Sequence, residues 1–150
     1  MNDTLLVHAS AVAIEGEAVL LRGPPGAGKS DLALRLIDGG ARLVADDQAM
    51  LRRLDDRVLV RAPAVIAGLI EIRGLGIVRV ETIEEAPLAL IVDLLPLDQI
   101  ERMPERRVEP VLGLEIRLIA LAAFEASAAA KLRLVRSALA TGRLPAIIGR

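Results

Sequence analysis

Short apolar runs with strand-like alternation dominate this chain, interrupted twice by helical spacing. Residues 4–14 (TLLVHASAVAI) and 17–22 (EAVLLR) carry the strand pattern, and Glu15-Gly16 between them predicts a hairpin. Residues 29–38 (KSDLALRLID) change to a helical period, with Leu32, Leu36 and Ile37 on one face and Gly39-Gly40 as the stop. A short strand, 42–45 (RLVA), ends at Asp46. Residues 48–53 and 57–62 predict a second hairpin turning at Asp55-Asp56. The stretch 69–81 (LIEIRGLGIVRVE) predicts a strand, a glycine-punctuated loop and another strand. Residues 88–95 (LALIVDLL) form an unbroken apolar run, as expected for a strand buried on both faces. A last strand is expected over 114–121 and a final helix over 124–140, stopped near Gly142. Interleaved strands and helices predict an α/β or mixed α+β class. The strand entering residue 23 is the second arm of a hairpin, whereas ordinary phosphate-loop folds reach that point by parallel crossovers.

At 150 residues the chain has room for one domain with a real core, and the absence of repeats or linkers agrees with a single domain over 1–150. Apolar residues make up 53% and mean hydropathy is +0.48, which argues against disorder and leaves apolar surface for a subunit interface, so an oligomer is expected. A net charge of -1 gives no pull toward nucleic acid or an anionic membrane. The single aromatic, Phe124, provides no stacking platform for a nucleic-acid strand. The lack of cysteine excludes disulfides, thiolate catalysis and cysteine-ligated metals, and fits a cytoplasmic setting. Asp3 stands where a signal peptide would want positive charge and His8 breaks the first apolar run, so no signal peptide is expected, and no apolar run is long enough to span a membrane.

Only two lysines occur, Lys29 and Lys131, and the first sits in a motif. Gly23-Pro24-Pro25-Gly26-Ala27-Gly28-Lys29-Ser30 matches G-x-x-x-x-G-K-[ST] in full, between an apolar strand and a helix. Glycines let backbone N–H groups converge on phosphate oxygens, and the helix N-terminus adds partial positive charge. Lys29 can reach the outer phosphates, and the Ser30 hydroxyl can hold Mg²⁺. The motif points to a nucleoside triphosphate or pyrophosphate and is silent on the reaction.

Asp46 and Asp47 end the strand that follows the helix, so the chain returns them to the sheet edge where the cradle sits. One carboxylate beside Mg²⁺ is a usual metal partner; a second is useful if it takes a proton from an attacking hydroxyl. Asp93 competes, because an apolar strand capped by an acid is the generic pattern for a metal-binding aspartate. Glu71 and Arg73, at strand spacing, would share one face and pair a Mg²⁺ ligand with a phosphate-binding guanidinium, and Gly74 and Gly76 would let the next loop move. His8 reads either as a half-buried strand residue or as a group that orients Asp47 or meets the transferred phosphoryl.

Together these residues resemble the catalytic domain of bacterial HPr kinase/phosphorylase. Val7-His8, GPPGAGKS, RLVADD and LIEIRGLG (69–76) carry the likeness, over about residues 5 to 80. The resemblance implies a mixed-sheet P-loop domain of the type shared with phosphoenolpyruvate carboxykinase, with a β-hairpin before the loop and flanking helices. It implies transfer of phosphate from ATP or pyrophosphate, with Mg²⁺, to a serine of HPr, the phosphocarrier of the phosphotransferase system. Phosphorolysis would reverse this, using inorganic phosphate and releasing pyrophosphate. By the same resemblance His8 and Lys29 match the active-site histidine and lysine. Asp47 matches the acid-base residue, and Ser30 and Glu71 match the Mg²⁺ ligands. The family's full-length members form hexamers and carry an N-terminal regulatory domain; by the resemblance this chain is expected to start at the catalytic domain, like the short alphaproteobacterial forms. The family usually carries a PV-x-P-G-R-like segment. Here residues 109–115 read EPVLGLE without an arginine, leaving Arg106, Arg107 and Arg117 as the nearest substitutes.

The expected activity is that of a Mg²⁺-dependent protein-serine kinase, with Asp46 behind Asp47. A small-molecule kinase and an ATP-sensing module that transfers nothing are the alternatives.

Overall fold

The computed structural model describes residues 3–141. In chain order the strands are β1 (Thr4–Val7), β2 (Ser10–Ile14), β3 (Glu17–Arg22), β4 (Arg42–Ala45), β5 (Ala49–Leu54), β6 (Arg57–Arg61), β7 (Leu69–Ile72), β8 (Gly76–Arg79), β9 (Glu85–Leu94), β10 (Arg107–Val111) and β11 (Leu114–Leu121). Helix α1 (Lys29–Asp38) follows β3, and α2 (Ala128–Thr141) follows β11.

Among the described residues, nine strands make one mixed sheet, and β7–β8 form a separate antiparallel hairpin. Strand β9 is the spine. Its first residues pair antiparallel with β6, and further along it pairs parallel with both β3 and β11. The expected hairpin before residue 23 is present as β2–β3, turning at Glu15 and Gly16, both with positive φ.

Strand periodicity divides the core in two. On β3, Val19 and Leu21 face the helices, joining Leu32 and Leu36 of α1 and Leu132 of α2. Ala18 and Leu20 face the other way, into a cluster with Leu51 of β5 and Val58 and Val60 of β6, so the sheet curls around its second core. Strand β9 supplies Leu90 and Val92 to the first and Leu88 and Ile91 to the second, which is why 88–95 looks uniformly apolar.

Four expectations change. Residues 4–14 are two strands, because the chain bends at His8-Ala9: β1 leaves to pair with β5, while β2 stays between β3 and β4. Arg73 lies in the turn after β7 rather than in the strand, so it does not share a strand face with Glu71. The last helix begins at Ala128, since residues 122–127 form turns held by side chains of α1 and α2. Strand β10 was not expected; its Pro110 is tolerated because β10 is an edge strand paired only with β11. The stop near Gly142 lies outside the described residues.

Candidate functional site

Strand β3 delivers the chain into the loop at Gly23, and the Ala27 N–H donates to the Pro24 carbonyl at 3.0 Å to close the turn. Helix α1 opens when the Leu32 N–H donates to Gly28 O at 2.9 Å. Gly28 caps the helix with φ 101° and ψ 18°, a left-handed conformation. A Cβ there would sit 2.7 Å from Ala123 Cβ and 3.0 Å from Phe124 Cζ. Gly28→Ala therefore combines backbone strain with overpacking and is expected to cost about 2–4 kcal/mol of stability in urea unfolding. Gly40, with φ +111° and open space around it, is the control: its alanine variant should lose only the backbone part, ~1–2 kcal/mol.

Lys29 folds back over the loop. Its Nζ donates to Gly23 O at 2.6 Å, and the side chain is only 10% exposed. Asp47 Oδ1 faces the same Nζ at 4.0 Å, with its side chain 72% exposed. Asp47 has φ 65°, a rare conformation for a residue with a Cβ, and its N–H donates to Ser10 Oγ at 3.0 Å. Asp46 is the hub of the site. Its Oδ1 accepts from Ser30 Oγ at 3.0 Å and from Ser10 Oγ at 3.2 Å, and its Oδ2 accepts from the Glu71 N–H at 2.9 Å. One carboxylate thus joins the phosphate loop, β2 and β7. The Ser30 hydroxyl and the Asp46 carboxylate present adjacent hard oxygen donors, the chemistry Mg²⁺ prefers.

Asp93 is committed elsewhere. Opposite it in the β3–β9 ladder, Arg22 donates from Nε to Asp93 Oδ1 at 2.8 Å and from Nη2 to Oδ2 at 3.2 Å. The same guanidinium holds both oxygens of Glu109, at 2.6 and 2.8 Å. The hydrogen bonds that Arg22 donates to Glu109 and, next, to Asp93 raise its pKa above its already high range. Deprotonating Arg22 is therefore harder folded than unfolded, so the arginine's contribution is fully present below the ordinary arginine pKa and is lost as pH rises through the raised one.

The structure brings together Gly23 to Ser30, Asp46, Asp47 and the Glu71 backbone. The Glu71 side chain is exposed, and His8 sits exposed in the bend between β1 and β2; no hydrogen bond or ion pair ties His8 or Arg73 to another described residue. The segment 109–115 forms the end of β10, a turn and the start of β11. Of the arginines near it, Arg107 and Arg117 line a cavity of about 360 Å³ between β11, the 99–107 segment and α2; no residue of 23–30 lines it. Sequence reasoning missed Ser10, which is fully buried and bridges the two aspartates. Its signal was a hydroxyl within an otherwise apolar strand.

The chain matches the family model described as HPr Serine kinase C-terminal domain over residues 1–133. An HPr kinase/phosphorylase of Geobacillus thermodenitrificans (strain NG80-2) is 39% identical over 117 residues, covering 77% of this chain and 34% of the relative. One from Bacillus cereus (strain B4264) is 48% identical over 84 residues, 55% of this chain and 27% of the relative. The chain thus spans about a third of the length of the curated relatives it matches. The solved structure of the Hpr(Ser) kinase/phosphatase from Coxiella burnetii superposes with a TM-score of 0.77 at 26% identity, covering 92% of this chain and 89% of that one.

Proposed function

The chain belongs to the HPr Serine kinase C-terminal domain family, and from that membership we propose that it transfers phosphate from ATP to a serine of an HPr-type phosphocarrier. The observation that carries the reading is the pair of carboxylates on two sides of one loop: Asp46 bonded to Ser30, Asp47 facing Lys29.

Each residue then has a physical task. The glycine backbone N–H groups between Gly23 and Gly28 and those at the start of α1 receive the phosphates, with Pro24, Pro25 and Ala27 shaping the turn. Ser30 and Asp46 would hold Mg²⁺, with Glu71 on the rim; the metal, when bound, would supply charge neutralisation on the phosphate oxygens. The Lys29 ammonium stabilises charge on the phosphoryl group in flight. Asp47, exposed at the mouth, accepts the proton of the incoming serine hydroxyl, so the serine oxygen bonds phosphorus as the bond to ADP breaks. His8, at the bend between β1 and β2, and Arg73, in the turn after β7, are assigned to meeting the carrier or the transferred group.

In the reverse direction inorganic phosphate attacks phosphoserine, releasing pyrophosphate, and Asp47 returns the proton to serine. The chain acts as one cytoplasmic catalytic domain. Among the described residues no helix is long and apolar enough to cross a membrane. It works within an oligomer: edge strand β1 exposes Leu5 and Leu6 at 44% and 52%. The hexamer of the family is the assembly the resemblance implies.

Incubation with ATP, Mg²⁺ and an HPr-type protein, followed by phosphoserine mapping and then addition of phosphate, tests the reading. A single phosphoserine that disappears with release of pyrophosphate is expected. ATP binding without any phosphoprotein would make the chain a nucleotide sensor instead, and transfer to a metabolite would make it a small-molecule kinase.

A further inference from the structure

The only phenylalanine in a chain without tyrosine or tryptophan is 70% exposed and rests against the phosphate loop. Phe124 lies just after β11, and its Cζ and Cε1 lie 3.0 and 3.3 Å from where a Gly28 Cβ would be. An exposed phenyl ring would ordinarily be free to fold onto nearby apolar surface. The backbone that carries this one is fixed on both sides by Arg35 of α1: Nη2 donates to Ala123 O, and Nη1 donates to Glu125 O at 3.1 Å. Ala122 and Ala123 before it are buried, and Glu125 after it is tied to Lys131 of α2 at 2.9 Å. The backbone that carries the ring is therefore held by three separate anchors.

Its place in the sheet gives the ring a task. Strand β3 carries the phosphate loop, with β2 and then β4 on one side, and Asp46 and Asp47 follow β4. On the other side stand β9 and then β11, both parallel to β3, and Phe124 follows β11. Ligands of such sheets lie across the carboxyl ends of the parallel strands. With its reacting phosphate at the Asp46–Asp47 side, a nucleotide extends its base toward the β11 side, where Phe124 waits.

The geometry points to Phe124 as the surface on which the base of the bound nucleoside triphosphate stacks. The inference rests on the phosphate loop holding a nucleotide, as proposed above. Stacking uses the π-face that every base shares, so the site recognises a nucleobase as a class rather than adenine by its hydrogen-bonding edge. Phe124 thereby separates a nucleotide donor from a bare polyphosphate donor, which uses only the loop.

The test is calorimetric binding of Mg²⁺-ATP and Mg²⁺-tripolyphosphate to the full chain and to Phe124→Ala, Phe124→Leu and Phe124→Trp. The alanine and leucine variants should bind ATP about tenfold more weakly and tripolyphosphate unchanged. The tryptophan variant should keep the ATP affinity. Because the chain has no tryptophan or tyrosine, its fluorescence reports on this one ring and should be quenched by ATP but not by tripolyphosphate. Equal weakening of both ligands would overturn the inference and make the ring a support for Gly28. So would unchanged ATP affinity, including the case where the variants change only subunit association or carrier affinity. If the unaltered chain binds neither ligand, the nucleotide reading itself fails, a result distinct from tripolyphosphate binding without any gain from the base.

Discussion

Lys29→Ala is expected to slow phosphoryl transfer by about 10²–10³-fold, ~3–4 kcal/mol of barrier, while the protein still folds. The size follows from where the ammonium sits. Its side chain is almost enclosed by the loop, where charge is weakly screened, and Nζ already lies against Gly23 O. No second ammonium can take over: the only other lysine, Lys131, is paired with Glu125 at the start of α2. Arg73 is exposed in the turn after β7, and a planar guanidinium is a poor substitute for a compact charge inside a loop. Initial rates of serine phosphorylation at saturating ATP and carrier, with circular dichroism to confirm folding, read the effect. A variant within a few-fold of the parent rate would remove the lysine from the chemistry.

Asp47→Ala should be comparably damaging, about 10²–10⁴-fold in rate, with ATP binding retained. Its carboxylate is tied to the loop only by the 4.0 Å ion pair with Lys29 and is largely exposed, so it can meet a protein serine. The left-handed backbone and the Ser10 hydrogen bond aim it at the loop. Replacement leaves the Asp46 hub intact and should therefore spare Mg²⁺-dependent nucleotide affinity. That split, lost rate with kept binding, distinguishes a proton acceptor from a structural acid.

What the sequence revealed and what it hid divide along one physical line. Local signals were legible. The glycine-lysine-serine loop between a strand and a helix, the Glu15-Gly16 turn and the apolar β9 all express preferences written within a few residues. The return of Asp46 and Asp47 to the loop followed from helix and strand lengths alone. The hidden features depend on distant partners. The break at His8-Ala9 exists because β1 pairs with β5 while β2 pairs with β3 and β4. Arg35 reaches across to residues 123 and 125 and delays the start of α2. Asp93 looked like a metal ligand from its strand, and only the register that sets Arg22 beside it shows it paired with a guanidinium that Glu109 of β10 shares. Asp46, expected to stand behind Asp47, is the more heavily bonded of the two because Ser10, Ser30 and the β7 backbone converge on it.

Serine phosphorylation of an HPr-type protein, assayed side by side for Asp47→Ala and Asp93→Asn, tests the central claim most directly. The claim predicts that the first variant loses at least a hundredfold in rate, about the lower bound for a general base, while the second, whose carboxylate only pairs with Arg22, stays within a few-fold of the parent. An active Asp47→Ala protein beside an inactive but folded Asp93→Asn protein would contradict it.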